Sequence, residues 1–183
     1  MGRTEGSWVR TIGHSTRTVE ELVEMLETHG VELVVDVRTV PKSRRNPQFN
    51  KDALPERLRQ DGIDYRHEPR LGGLRKPSKE SINSAWRNAS FRGYADYMQT
   101  EAFAEAIADL IELAEKQTIA VMCAESVPWR CHRSLIADAL TARGIEARHI
   151  MSAKRADPHR VTPFARVDGT TVTYPGLASD PES

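Results

Sequence analysis

The chain has 183 residues with 26 Lys+Arg against 26 Asp+Glu, enough length for one packed core and no net field to draw it to nucleic acid or membrane. No apolar run approaches the ~20 residues that span a bilayer, the N-terminus carries no secretory pattern, and two cysteines are too few for a disulfide framework. The reading is a soluble, cytoplasmic protein with reduced thiols, in which residues 9–175 form a single α/β domain and residues 1–8 and 176–183 are flexible ends.

Val9 to Ile12 is a short apolar strand that stops at Gly13-His14-Ser15. Thr18 and Glu21 form a capping box that opens a helix, with Leu22, Val23 and Leu26 inward and Gly30 beyond its end. Val31 to Val37 is rich in β-branched residues, as a buried parallel strand should be, and runs into Asp36 and Arg38. A loop with two prolines follows, then a helix over Lys51–Gln60, a third strand over Ile63–His67 and a tight turn at Gly72-Gly73. The polar stretch Arg75–Arg92 has no assignment. Tyr94–Lys116 is helical with a break near Thr100 and an apolar stripe of Phe103, Ile107, Leu110, Ile111 and Ala114.

Ile119 to Met122 is the next buried strand. It gives way to Cys123, Glu125, Pro128 and Trp129, and then Cys131-His132-Arg133 opens a helix through Leu140. Ile145–Met151 is the last sheet strand, and Asp168-Gly169 between extended runs marks a hairpin. Strands alternating with helices predict a Rossmann-like three-layer α/β fold with a mostly parallel sheet, plus a C-terminal β-hairpin.

Three apolar strands thus end in polar residues: Gly13-His14-Ser15, Asp36 with Arg38, and Cys123 with Glu125. In open α/β sheets ligands bind beyond the carboxyl ends of the strands, so these groups are expected at one rim. A cysteine at a helix start beside His and Arg should have an enlarged thiolate fraction, which singles out Cys131. The bland alternatives are a buried small hydrophobe for Cys123, a structural hydrogen bonder for His14 and a cap or an Arg38 partner for Asp36. From Arg38 to Lys79 there are twelve Lys/Arg and five Asp/Glu, a local net of +7; such a stretch is either a solvated face or a steering field for an anion.

Other chemistries fit less well. Adjacent Cys131 and His132 diverge by about 100° on a helix and lack paired zinc-ligand spacing; no metal site is expected and no cofactor is implied. Arg130 follows Cys123 too late for a phosphatase loop. The Asp-Val-Arg strand end resembles that of rhodanese-type sulfur transferases, but the thiol loop is longer. No nucleotide-binding fingerprint is present.

Five motifs in order, TIGHST (11–16), DVRTVPKSRRNPQFN (36–50), YRHEPRLGG (65–73), FRGYADYM (91–98) and MCAESVPWRCHRSLIADAL (122–140), resemble the domain-of-unknown-function 488 family, as do His149-Ile150 and the closing Thr173-Tyr174-Pro175. The resemblance implies a Rossmann-like domain without an established activity, its signature residues at the strand ends. The candidate catalytic residues are Cys123, Glu125, Cys131, His132, His14 and Asp36. Candidate substrate-binding residues are Gly13, Ser15, Arg38, Ser43, Arg44, Gly72, Gly73, Tyr94 and Arg133. The leading expectation is an enzyme acting on a small phosphorylated or nucleotide-like substrate, a small anionic ligand being the expected partner. The alternatives are a nucleic-acid-binding or processing module and a thiol redox sensor or rhodanese-like sulfur transferase.

Overall fold

The computed structural model describes residues 8–176; the segments 1–7 and 177–183, read above as loose ends, lie outside the described residues. Trp8 already belongs to the first strand, with the Arg148 guanidinium 3.7 Å over its ring. Gly176 N–H donates to Ser84 Oγ.

Five parallel strands and one antiparallel strand make a sheet in the order β3-β2-β4-β1-β5-β6. They are β1 (Trp8–Gly13), β2 (Leu33–Asp36), β3 (Asp64–His67), β4 (Ile119–Cys123), β5 (Glu146–Ser152) and β6 (Arg155–Pro158). The central β2 and β4 are buried at every position, which is why they read as continuous apolar runs. The helices are α1 (Val19–Thr28), α2 (Leu54–Gln60), α3 (Ala89–Tyr97), α4 (Glu101–Lys116) and α5 (Arg133–Ala142). The Thr18–Glu21 capping box and the break at Thr100, which caps α4, form as the sequence predicts.

Strand alternation divides the core. Ile12, Val34, Ala120 and Met122 pack with α1 and α2 on one face, while Val9, Leu33, Val35, Val121 and Cys123 pack with α3, α4 and α5 on the other. The crossovers β1→β2 and β2→β3 run one way across the sheet, and β3→β4 and β4→β5 run the other way. Crossovers of a single hand must then place their helices on opposite faces, as observed. The connections leaving neighbouring β1 and β4 diverge, and this opens a crevice above their carboxyl ends.

Two elements depart from the sequence reading. β5 is followed by the antiparallel edge strand β6, so it is not the last in the sheet. Its sequence, Arg-Ala-Asp-Pro, has no apolar alternation and ends in a proline, which an edge strand tolerates. In addition, α3 begins at Ala89, capped by the Asn88 side chain on Ser90 and Phe91 N–H, and so takes in part of the unassigned stretch. The expected hairpin is present as β7 (Arg166–Asp168) and β8 (Thr171–Thr173), with Gly169 at φ 63° in its turn.

Candidate functional site

Register sets the floor of the crevice. Asp36 lies between His67 and Met122, and Cys123 lies opposite Gly13. The β1–β4 ladder continues past both strands through His14 N–H to Cys123 O (3.0 Å) and Ser15 N–H to Ala124 O (2.9 Å). The loop after Cys123 therefore folds back over the end of β1. A Cβ at Gly13 would stand 1.8 Å from Glu125 O, so this close approach requires glycine.

A cleft of about 560 Å³ opens here, lined by His14, Ser15, Arg38, Ser43, Gly73, Cys123, Glu125, Cys131 and His132 among the candidate residues. The other candidates stand around it. Asp36, Tyr94 and Arg133 are buried behind its walls. Gly72 packs on Thr39 and Gly13 on the thiol loop. Arg44 is exposed outside the lining. Lys42, Ser90, Phe91 and Arg130 line the cleft as well. Ser90 falls in the stretch without a sequence assignment, and Phe91 opens the FRGYADYM motif without being a candidate site residue.

On the α1–α2 side, Asp36 grips Arg38 through Nε (2.9 Å) and Nη2 (2.7 Å) and accepts from Tyr65 O–H; Arg38 Nη2 also donates to Phe49 O at 2.7 Å. This bidentate clasp leaves Nη1 directed at His14 Nε2, 3.3 Å away. His14 Nδ1–H donates to Ser15 O (2.8 Å), and its ring stacks on Phe49 at 4.4 Å. Carbonyl oxygens only accept, so His14 Nε2 is the bare nitrogen and receives the Arg38 proton. Burial, then the Arg38 charge, lower the His14 pKa to about 4, against the opposing pull of the Ser15 carbonyl.

On the α5 side, His132 Nε2–H donates to Val37 O at 3.0 Å, leaving Nδ1 as an acceptor 3.6 Å from Cys131 Sγ. The Tyr94 ring lies 5.0 Å from the His132 ring and its hydroxyl donates to Leu71 O. Burial lowers the His132 pKa to about 4 against the pull of the Val37 and Leu71 carbonyls.

The two sulfurs differ. Burial pushes the Cys131 thiol up, and its hydrogen bond to Cys123 and the charge there add to this. Burial alone would raise the Cys123 thiol too. Cys123 Sγ donates to Glu125 O at 3.4 Å, while the Cys131 side chain, the Arg133 charge and the Glu125 backbone together outweigh burial and lower the Cys123 pKa. Arg133 is fully buried, and its partners are neutral oxygens: Thr11 Oγ1 (3.0 Å), Glu125 O (3.0 Å) and Ser126 O (2.8 Å). A buried guanidinium with neutral partners favours a negative charge nearby. The sequence marked Cys131 as the low-pKa thiol; in the structure its burial acts the other way.

A second cavity, about 690 Å³, adjoins the same turn. It is lined by Trp129, Phe164 and Trp86, with His149 and His159 at its edge. Among the described residues no group of three or more His, Cys, Asp and Glu side chains is placed to hold a metal ion, and no helix is long and apolar enough to cross a membrane. In the basic stretch, Arg38, Arg57, Arg59 and Arg70 are spent on carboxylates.

A parallel three-layer sheet with a thiol loop at its switch point defines a Rossmann-like α/β protein. Residues 18–140, about two thirds of the chain, match the family model described as "Domain of unknown function DUF488". The chain belongs to this family. The match takes in Asp36, Arg38 and the thiol loop; His14 and His149 lie outside it. Comparison with curated proteins found no match, and comparison with solved structures found none.

Proposed function

We propose that the protein is an enzyme that uses the Cys123 thiolate as a nucleophile toward a small phosphorylated or nucleotide-like substrate bound in the cleft. One observation carries this reading: Cys123 lies in a cleft that Arg38, Lys42 and Arg130 also line, and the buried, carboxylate-free Arg133 holds the carbonyls of its loop and helps lower its pKa. The cations attract and orient the anionic group. Asp36 and Tyr65 fix the Arg38 fork, and His14 accepts its remaining N–H, so His14 acts as an orienting group. Cys131 keeps its proton, shared between Cys123 and His132 Nδ1, and can supply it to a leaving oxygen as the thiolate attacks. The attack forms a bond from the Cys123 sulfur to phosphorus and breaks the one to the leaving oxygen; water then displaces the sulfur, and His132, neutral at pH 7, takes the water's proton at Nδ1 and returns it to Cys131.

The test needs no prior substrate. Alkylation of Cys123 by iodoacetamide, followed against pH, is expected to reach half its maximal rate below the ordinary thiol value of about 8.5. A half-point at or above that value defeats the nucleophile. A thermal-shift screen of phosphorylated metabolites and nucleotides then finds the ligand class, and Cys123→Ser is expected to abolish turnover of any substrate so found.

The coupling of the two thiols favours a second reading, a redox pair. Here mild peroxide gives a Cys123–Cys131 disulfide, seen as the loss of two hydrogens in the intact mass. An unchanged mass removes it.

A further inference from the structure

A line of hydrogen bonds leaves the thiol loop and runs beneath β1 and β5 to the far side of α5. Arg133 Nη1 meets Thr11 Oγ1 at 3.0 Å, Thr11 Oγ1 meets His149 Nδ1 at 2.6 Å, His149 Nε2 meets His159 Nδ1 at 2.8 Å, and His159 Nε2 meets Asp138 Oδ1 at 2.7 Å. Register accounts for its middle, because Thr11 and His149 are directly opposite on neighbouring strands.

The proton positions follow from the two ends. Asp138 is fully buried and also accepts from Thr162 N–H, Thr162 O–H and Tyr174 O–H, so its oxygens act as acceptors. His159 must then donate from Nε2, and its Nδ1, bare in the neutral ring, accepts from His149 Nε2–H. His149 Nδ1 is left to accept the Thr11 hydroxyl proton. From the other end, Arg133 can only donate, so Thr11 oxygen accepts. Both ends give the same direction. Every bond is oriented head to tail between a buried cation and a buried carboxylate, and each polarises the next. Burial, with the Arg133 charge nearby, lowers the His149 pKa to about 3.

The other edge of Arg133 reaches the loop that follows the thiol. Its Nη2 holds the carbonyls of Glu125 and Ser126, the second and third residues after Cys123. We propose that Thr11, His149, His159 and Asp138 are positioning residues for Cys123, fixing the Arg133 guanidinium beneath the thiol loop. This rests on the nucleophile reading above. The competing role is a structural one: the same bonds fasten residues 159–174 onto α5.

The charged and titratable groups around Cys123 are few. Cys131, His132 and Arg133 come from the α5 side, Glu125 and Arg130 from its own loop, His14 from the end of β1, and Arg38 and Lys42 from the segment after β2. Thr11→Val removes the link between chain and guanidinium with little change of shape and leaves all of these in place.

The experiment is the pH profile of iodoacetamide labelling in the full chain, read by tryptic mass spectrometry; cleavage after Lys116, Arg130 and Arg133 separates Cys123 from Cys131. Thr11→Val is expected to raise the Cys123 half-point by about one pH unit, about a tenfold rate loss at neutral pH. Thr11→Ser, which keeps the hydroxyl, is expected to restore it. Tyr174→Phe, which loosens the fastening at Asp138 alone, is expected to lower stability and leave the half-point unmoved. A folded Thr11→Val protein with the wild-type half-point overturns the proposal and spares the nucleophile; a wild-type half-point at about 8.5 or above overturns the nucleophile itself. Should Thr11→Val fail to fold, nitrogen-15 tautomer spectra of wild-type protein decide. Both His149 and His159 are expected as Nε2–H forms, and an Nδ1–H form at either ring overturns the chain.

Discussion

The two cavities meet at one turn, which gives Trp129 to one and Arg130 and Cys131 to the other. The second is the larger and has the more aromatic walls, yet its histidines are occupied on both ring nitrogens by one another, by Thr11 and by Asp138. The cleft is smaller, but its basic walls surround Cys123, whose pKa the Cys131 side chain and the Arg133 charge lower. The larger cavity thus has its titratable groups paired within the fold, while the smaller one keeps basic side chains around a thiol. Each region also buries one carboxylate. Asp36 is matched by a guanidinium, Asp138 by neutral donors.

That contrast orders the expected losses. Asp36→Ala strands the buried Arg38 charge and should cost about 3–5 kcal/mol. Asp138→Ala frees neutral donors; His159 and Thr162 border a cavity that admits water, so the expected cost is smaller, about 2–3 kcal/mol. Urea unfolding of both variants measures this. An Asp138 loss equal to or above the Asp36 loss would erase the distinction between the two sites.

Acid probes both regions together. His14 and His132 in the cleft are held near a pKa of about 4, and His149 in the chain near about 3, while an unfolded histidine titrates near 6.5. Below that value the unfolded chain takes up protons that the folded one refuses. Stability is therefore complete above about pH 6.5 and falls as pH drops toward 4, each histidine contributing up to about 1.4 kcal/mol per pH unit. His14→Gln and His149→Gln should each flatten the slope between pH 6.5 and 4. A slope that neither variant changes means both rings are charged in the folded protein.

Much of this was legible in the sequence, because an apolar strand that stops at His14, Asp36 or Cys123 announces its carboxyl end. The orientation of individual side chains was not. Arg133 reads the same at a helix start whether it faces solvent or lies under the loop, and Tyr94, expected at the ligand, is fully buried against Tyr97, Phe103 and His132. The Thr11–His149–His159–Asp138 chain had no local signal at all: its members come from β1, β5, the segment after β6 and α5, and sheet register alone brings them together.

The smallest expected effect separates neighbours in sequence. Iodoacetate is an anion and iodoacetamide is neutral, so the ratio of their rates at Cys123 reports the potential inside the cleft. Arg130 lines that cleft. Arg130→Ala should lower the ratio about two- to fivefold at low ionic strength, and added salt should shrink the difference, as expected for screened charge. Trp129 is 69% exposed and lines the other cavity. Its replacement by Ala should leave the ratio unchanged and move stability by no more than about 0.5 kcal/mol. If Trp129→Ala shifts the ratio as far as Arg130→Ala does, the turn moves as a unit and the two cavities are one site.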